Sequence, residues 1–201
     1  ENWIRAVTFT GPERIPCSMS FAPLTLHRHK ADLDRLMRDH PRIFPEYDPA
    51  TVDFYDEMPV VYRQGERYTD TWGCTWDNIQ EGLEGQVIGH PLADWSALET
   101  WRPLNPLTHS ERGTRDWAVV RRDMEARKAK GLLTHGGAER LFDRLYFLRG
   151  FDALMMDFAE QRPELDRLIE MLTGYEPKVN AERRKIGADM ISFHTDNRTQ
   201  A

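Results

Sequence analysis

The chain has few cysteines and no long apolar stretch. Among its 201 residues only Cys17 and Cys74 are cysteines, and neither lies in a Cys-x-x-Cys or His-x-Cys pattern. Two cysteines cannot form the disulfide framework of a small secreted protein, so a reducing, cytoplasmic compartment is expected. A membrane-spanning helix needs roughly 18 consecutive apolar residues, and no segment approaches that length. The sequence therefore excludes a membrane protein and predicts no membrane as partner.

An excess of basic charge is also missing. The chain carries 27 Lys and Arg residues against 33 Asp and Glu residues, a net charge of -6, and its arginines are interleaved with acids. Folded proteins that bind nucleic acid usually present a basic face to the phosphates. The charge pattern therefore argues against nucleic acid and leaves a small-molecule substrate as the expected partner.

Short catalytic motifs are absent as well. The sequence has no Walker loop, no dinucleotide-binding Gly-x-Gly-x-x-Gly, no Gly-x-Ser-x-Gly elbow and no zincin motif. His27 and His29 lie two residues apart with no third ligand beside them, so no metal site and no cofactor are predicted. Function must therefore be sought in the loops that follow the predicted strands.

Composition divides the chain near residue 110. Ten of the twelve prolines and all six tryptophans fall in the first 117 residues. Within the first segment, 1–114, the sequence predicts a strand over 15–21 and a helix over 32–39. The alternating stretch before Trp76 predicts a β-hairpin that turns at residues 64–66.

The second segment, 115–201, alternates helical periodicity with short apolar runs. Strands separated by helices of this length can pair in parallel, which is typical of an α/β fold. The predicted elements are a helix capped by Gly131, a strand at 132–134 stopped by Gly136-Gly137, a helix with a core-facing stripe of Phe151, Leu154, Met155 and Phe158, helices beginning at Pro163 and over 179–186, and a strand at 190–193.

A polar cluster follows the last predicted strand. In a parallel α/β sheet, ligands meet the loops at the carboxyl ends of the strands. Asp196 is the predicted catalytic acid or base, and His194, Asn197 and Gln200 are predicted to orient a substrate. The alternative is a solvated loop in which Asp196 or Asn197 caps the next helix.

Two further places carry candidate substrate-binding residues. His135, Gly136 and Gly137 follow a predicted strand, and adjacent glycines allow close approach of a ligand or form a plain turn. Trp72 lies on the return strand of the hairpin, where it either lines a pocket for a planar ligand or belongs to a buried strand face.

The arginines of the second segment have two interpretations. Arg140, Arg144 and Arg149 are candidates for binding carboxylates. Asp143 and Asp152 offer them ordinary salt-bridge partners instead.

Six segments, taken in chain order, carry a further signal. They are residues 12–17 (PERIPC), 40–45 (HPRIFP), 71–76 (TWGCTW), 85–87 with 90–95 (GQV and HPLADW), 145–151 (LYFLRGF) and 187–189 (GAD). Together they resemble the uroporphyrinogen decarboxylase superfamily, and more narrowly its divergent branch of decarboxylase-like proteins, which is related to corrinoid-dependent methyltransferases.

The resemblance implies the N-terminal part of a (β/α)8 TIM barrel with an inserted β-hairpin. It implies a cytoplasmic lyase of porphyrin metabolism that decarboxylates a tetrapyrrole or related carboxylated substrate without a cofactor. Tyr146, in a segment that matches the family, is a further candidate substrate-binding residue, with a core position as the alternative. A second hypothesis is methyl transfer with zinc and a corrinoid protein, and a third is a non-catalytic protein that binds a tetrapyrrole or corrinoid. A homodimer is a further expected partner.

The chain departs from the family at two motifs. Decarboxylases place two arginines in a Met-Arg-Gln-Ala-Gly-Arg motif after the first strand, where residues 21–29 here read FAPLTLHRH. The branch commonly carries Asp-Asp-x-Gly-Thr-Gln where this chain has Asp196-Asn197-Arg198-Thr199-Gln200, without the second acid and the glycine. A barrel of this kind needs about 250 residues, so 1–201 is expected to be a single incomplete barrel domain.

Overall fold

The computed structural model describes residues 2–17, 19–111, 113–137 and 140–192. The chain divides into two compact units. Unit 1 contains residues 1–68 and 77–86, and unit 2 contains residues 69–76 and 87–201. Helices and strands are mixed, as an α/β chain requires, and no closed barrel is formed by the described residues. None of the described helices has the length and apolar character needed to cross a membrane.

Unit 1 is built mainly from helices and irregular connections. Its helices are α1 (Asn2–Val7), α2 (Pro23–Arg28), α3 (Lys30–Asp39) and a short 3-10 helix (Val60–Tyr62). The predicted helix over 32–39 is confirmed as α3. The predicted strand over 15–21 is wrong, because the described residues there are irregular and Ile15 is 88% exposed. A short apolar run is therefore not enough to make a strand when no neighbouring strand covers it.

The core of unit 1 forms where the apolar face of α3 meets the loop that follows it. Leu33 and Met37, four residues apart on α3, are buried together with Phe44. Phe21 stacks on Phe44 with ring centroids 5.6 Å apart. This spacing of buried residues is the one the helical periodicity predicts.

The chain also forms a three-stranded sheet. Its strands are β1 (Arg67–Thr69), β2 (Thr75–Asp77) and β3 (Gln86–Gly89), in that order. A hairpin exists within residues 60–76, but the predicted one is wrong, because residues 60–62 form a 3-10 helix and the turn is not at 64–66. The chain reverses between Asp70 and Cys74, where the Asp70 amide donates to the Cys74 carbonyl at 2.9 Å.

The side chain of Asp70 explains the position of this turn. Its Oδ1 accepts hydrogen bonds from the backbone amides of Trp72 and Cys74, both at 2.9 Å. Its Oδ2 accepts from the indole Nε1 of Trp76 at 2.9 Å. Aspartate at the first position of a turn satisfies backbone donors in this way, and Gly73 supplies the positive φ of 89° that the turn needs.

Unit 2 contains the other described elements. They are a 3-10 helix (Trp95–Glu99), β4 (His109–Ser110), β5 (Gly113–Thr114), α4 (Trp117–Ala129), β6 (His135–Gly137), α5 (Leu141–Arg149), α6 (Phe151–Glu160), α7 (Pro163–Thr173), α8 (Glu176–Lys185) and β7 (Met190–Ser192). Strands β4 and β5 form a small antiparallel pair.

Strands β6 and β7 pair in parallel, with His135 opposite Met190 and Gly137 opposite Ser192. The chain between them forms α5 to α8, so a helical crossover connects two parallel strands, as the alternation of elements predicts. The predicted strand over 132–134 is displaced, because the paired residues are His135–Gly137. The glycines are therefore inside the strand and do not form the predicted turn after it.

The buried faces of the helices agree with the sequence in α7 and differ in α6. Leu165, Leu168 and Leu172 of α7 are buried, as their spacing predicts. In α6 the predicted core stripe is confirmed at Leu154 and wrong at its two ends. Phe151 and Phe158 are 55% and 44% exposed, whereas the fully buried apolar residue is Leu154. The inner face of α6 instead includes the buried carboxylate of Asp157.

Asp157 pairs with Arg149 at the end of α5. The Arg149 Nε donates to Asp157 Oδ2 at 2.6 Å, and both side chains are nearly buried, 12% and 5% exposed. The indole Nε1 of Trp95 donates to Asp157 Oδ1 at 3.2 Å. The Arg149 guanidinium also donates to the carbonyls of Leu92 and Ala93. It lies 4.6 Å from the centre of the Trp95 ring.

One backbone hydrogen bond and one from a side chain complete this connection. The Leu92 amide donates to the Leu148 carbonyl at 2.9 Å. His90 Nδ1 donates to the Phe147 carbonyl at 2.8 Å. The segments 90–95 and 145–151, which both resemble one family, are therefore in direct contact in unit 2.

Replacing Asp157 by Asn should destabilise unit 2 by about 3 kcal/mol, because it leaves a buried guanidinium without its counter-charge. Urea unfolding followed by tryptophan fluorescence measures this, since five of the six tryptophans lie in unit 2. Asp152→Asn is the matched control, because Asp152 is an exposed acid of the same helix. Equal stability of the two variants would contradict the role of Asp157 as the counter-charge of Arg149.

The stability that Asp157→Asn loses should depend on pH. Desolvation raises the pKa of Asp157, but hydrogen bonds from Arg149 and Trp95 outweigh it, so the pKa lies below its usual value. The stabilisation is complete above the pKa of an unfolded aspartate, about 3.9, and is lost as pH falls through the lowered folded pKa. The deficit of Asp157→Asn should therefore be constant near neutral pH and shrink in strong acid.

Candidate functional site

The carboxyl ends of β6 and β7 lie at one edge of the parallel pair. Gly137 and Ser192 are opposite each other in register and are the last residues of their strands. The predicted catalytic Asp196 and the predicted orienting residues His194, Asn197 and Gln200 lie outside the described residues. The roles of these residues remain predictions. They follow β7 in the sequence, and the structure describes the ends of β6 and β7.

The two faces of β6 have different surroundings. A Cβ at Gly136 would lie 2.2 Å from Cδ of Arg183, which comes from α8. The space beside this glycine is therefore filled by a side chain of the same unit. His135 and its register partner Met190 face the other side of the strand pair because side chains alternate, and both are exposed.

The amino ends of the same strands are tied together by Asp189. Its Oδ2 accepts from both the amide and the hydroxyl of Thr134, each at 2.8 Å, and Thr134 is fully buried. These hydrogen bonds, first from the Thr134 amide and then from its hydroxyl, hold the pKa of Asp189 below its usual value. Asp189, part of the GAD segment, thus fixes the strand register.

A cavity of about 320 Å³ lies elsewhere in unit 2. Its lining is largely apolar and comes from the hairpin turn, α5, α7, α8 and the junction between the last two helices. The lining residues are Trp72, Leu141, Arg144, Leu172, Thr173, Tyr175, Glu176, Pro177 and Asn180. Of the predicted substrate-binding residues that the structure describes, Trp72 is the one that lines this cavity.

Aromatic and cationic contacts hold Trp72 in place. Its ring centre lies 5.4 Å from that of Tyr175 and 6.1 Å from that of Trp101. The Arg144 guanidinium lies 4.7 Å from the Trp72 ring centre, a cation–π distance. Trp72 is 97% buried and lines the cavity. It lies in the turn before β2, so its predicted place on a strand is wrong. Its role in binding a planar ligand stays a prediction.

The charge of Arg144 is already balanced by acids. Its Nη2 donates to Glu111 Oε2 at 2.7 Å, and its Nη1 lies 3.7 Å from Asp70 Oδ2. Arg140 likewise pairs with Asp143 at 2.9 Å. The salt-bridge interpretation is therefore confirmed for Arg140, and Arg149 also has a salt bridge, although its partner is Asp157 and not Asp152. None of these pairs is arranged as an open clamp for a carboxylate.

Tyr146 belongs to a different group of side chains. Its ring packs against Phe147 at 4.4 Å, Phe142 at 6.0 Å and Phe151 at 6.2 Å between ring centres. Its position on α5 is two residues from Arg144, so the two side chains leave the helix in different directions. Tyr146 therefore belongs to an aromatic cluster, whereas Trp72 lines the cavity.

A cysteine nucleophile and a metal site receive no support in the described part of the chain. Cys74 is fully buried, and desolvation together with the neighbouring Asp70 charge raises the pKa of its thiol to about 12, so it is not a nucleophile at neutral pH. Across residues 2–17, 19–111, 113–137 and 140–192, no three or more His, Cys, Asp or Glu side chains are grouped to hold a metal.

Sequence patterns did not indicate two of the cavity residues. Tyr175 and Asn180 lie at and after the interruption between α7 and α8, and no local motif distinguishes them. Comparison of the chain with protein-family models, curated proteins and solved structures found no match. Function is therefore inferred from the geometry of unit 2 and from the family resemblance of the six segments.

Gly136→Ala should destabilise the chain by about 1 kcal/mol or less, because the added methyl meets the far end of the flexible Arg183 side chain, which must move. Arg183→Ala in the same chain should remove much of that penalty, giving a non-additive pair in urea unfolding. Gly174→Ala is the control, since its Cβ would have only ordinary contacts at 3.5 Å or more. Strictly additive effects of Gly136→Ala and Arg183→Ala would show that Arg183 does not occupy this space.

Proposed function

We propose that the chain is a uroporphyrinogen decarboxylase-like lyase that acts on a tetrapyrrole or related carboxylated substrate at the carboxyl edge of β6 and β7. The observation that carries the proposal is the parallel register of Gly137 with Ser192, both of which end their strands. The polar residues that follow β7 are attached to that edge, where α/β folds bind ligands.

The surroundings of the strand pair also support part of a (β/α)8 barrel as its fold. One side of β6 is covered by Arg183 of α8, whereas His135 and Met190 on the other side are exposed. In such a barrel the helices cover the outer face and the inner face meets other strands. An exposed inner face is what an isolated pair of barrel strands presents.

The chemistry of the proposed reaction needs few protein groups. An electron-rich pyrrole is protonated, and the bond between the acetate methylene and its carboxylate breaks with release of carbon dioxide. The electron pair of that bond moves toward the ring nitrogen, and a second protonation at the methylene regenerates the neutral pyrrole as the ring loses its extra proton. The net change turns an acetate side chain and one proton into a methyl group and carbon dioxide, with Asp196 as the proposed proton-handling group.

Anaerobic incubation of the 201-residue chain with uroporphyrinogen should release carbon dioxide and yield porphyrins with fewer carboxyl groups after oxidation. Asp196→Asn should lower the rate at least about 100-fold, the usual contribution of a positioned acid or base. Asp166→Asn, a change at an exposed acid of α7, should leave the rate unaltered.

The alternatives give different results in the same experiment. Tight binding of uroporphyrinogen without release of carbon dioxide would favour the non-catalytic binding protein, which Asn197 and the missing arginine pair already motivate. Zinc-dependent methyl transfer from methylcobalamin to a thiol would favour the methyltransferase. Undiminished turnover by Asp196→Asn would contradict the role given to Asp196.

A further inference from the structure

The cavity beside Trp72 has the size and lining of a small-molecule site. Its volume of about 320 Å³ falls within the range of natural ligand pockets, about 300–1,000 Å³. Leu141, Leu172 and Pro177 supply apolar surface, and Trp72 and Tyr175 supply aromatic surface. Such a lining favours a ligand with an apolar, planar body.

The indole Nε1 of Trp72 is the unusual polar group of this cavity. It is buried and has no hydrogen-bond partner within the described part of the chain. Three other indoles of unit 2 are satisfied, by Asp70 for Trp76, by Asp157 for Trp95 and by the Leu107 carbonyl for Trp117. A buried donor without an acceptor is unfavourable, so a ligand that brings an acceptor to this N–H would gain affinity.

Asn180 presents the complementary group. Its side chain lines the same cavity, and its Oδ1 is buried without a donor among the residues that the structure describes. Two residues that line the cavity therefore each have one polar atom without a partner in the described part of the chain, an N–H donor on Trp72 and a carbonyl acceptor on Asn180. Two such groups in an otherwise apolar pocket determine which ligand is accepted.

The described lining offers no unbalanced positive charge to an anion. Arg144 is paired with Glu111 and lies beside Asp70. The other charged residue of the lining is Glu176, so its two charged side chains have opposite signs. A ligand that carries a carboxylate would lose hydration without gaining a free cation, and a neutral ligand avoids this penalty.

We propose that the cavity binds a neutral, planar heteroaromatic compound of the lactam class. Its ring would occupy the apolar space, its carbonyl oxygen would accept from Trp72 Nε1, and its N–H would donate to Asn180 Oδ1. This site is separate from the edge of β6 and β7 and does not rest on the function proposed for that edge. It differs from a porphyrinogen site in taking an uncharged ligand.

The test uses 2-quinolinone as the probe with the 201-residue chain. Titration should shift the indole N–H resonance of Trp72, assigned with Trp72→Phe, in nitrogen–proton correlation spectra, and should saturate. Trp72→Phe keeps an aromatic ring but removes the donor, so it should weaken binding about 5-fold or more, the equivalent of one hydrogen bond. Trp117→Phe is the matched control and should leave the affinity within twofold of the original.

A second pair of changes tests the acceptor. N-methyl-2-quinolinone lacks the N–H, so it should bind the original chain about 5-fold more weakly than 2-quinolinone. Asn180→Leu should abolish that difference between the two probes, because the acceptor is gone. Unchanged spectra provide the check that each variant is folded.

Three results would overturn the proposal. They are the absence of a saturable shift at the Trp72 indole, equal affinity of Trp72→Phe and the original chain, and equal affinity of the two probes for the original chain. Tighter binding of the anionic 2-quinolinone-4-carboxylate than of 2-quinolinone would also contradict it, because the charge argument requires the reverse.

Discussion

The buried ion pair between Arg149 and Asp157 is the constraint on which unit 2 depends. It joins the end of α5 to α6, and through Trp95 and the carbonyls of Leu92 and Ala93 it also holds the segment before the 3-10 helix. A charged pair with this little exposure is retained only when hydrogen bonds satisfy its remaining groups, as they do here.

Much of the cavity follows from the placement of α5. Leu141 and Arg144 precede Arg149 on the same helix, so a helix fixed at its end presents both to the cavity. Arg144 then reaches Asp70, whose carboxylate also forms the hairpin turn that carries Trp72. The segments 90–95 and 145–151 are held together by these contacts, so they support the cavity from outside its lining.

The sequence predicts helices better than it predicts turns and buried faces. Periodicity is a local property, so it identifies α3 and α7 correctly. The α6 face is misjudged because Asp157 is buried by a partner on another helix, which no local pattern reveals. The hairpin turn is misplaced because a glycine at 65 gives a stronger local signal than the three hydrogen bonds of Asp70.

Local sequence patterns likewise indicate some residues of the cavity and miss others. Trp72 is singled out by its aromatic surroundings in the sequence, although it lies in the hairpin turn and not on a strand. Asn180 and Tyr175 become pocket residues only when α7, α8 and the hairpin turn meet. Gly136 is predicted to allow the approach of a ligand, whereas the group that lies beside it is Arg183, 47 positions later in the chain. Long-range packing of this kind is fixed by tertiary contacts and leaves no spacing rule in the sequence.

A double-mutant cycle on Arg149 and Asp157 tests this account most directly. Urea unfolding would be measured for Arg149→Gln, Asp157→Asn and the double variant, with tryptophan fluorescence reporting on unit 2. The account predicts that the double variant loses about 1–3 kcal/mol less than the sum of the single losses, because each single change strands the other buried charge. Losses that add to within about 0.5 kcal/mol would show that the two residues act independently and would contradict the account.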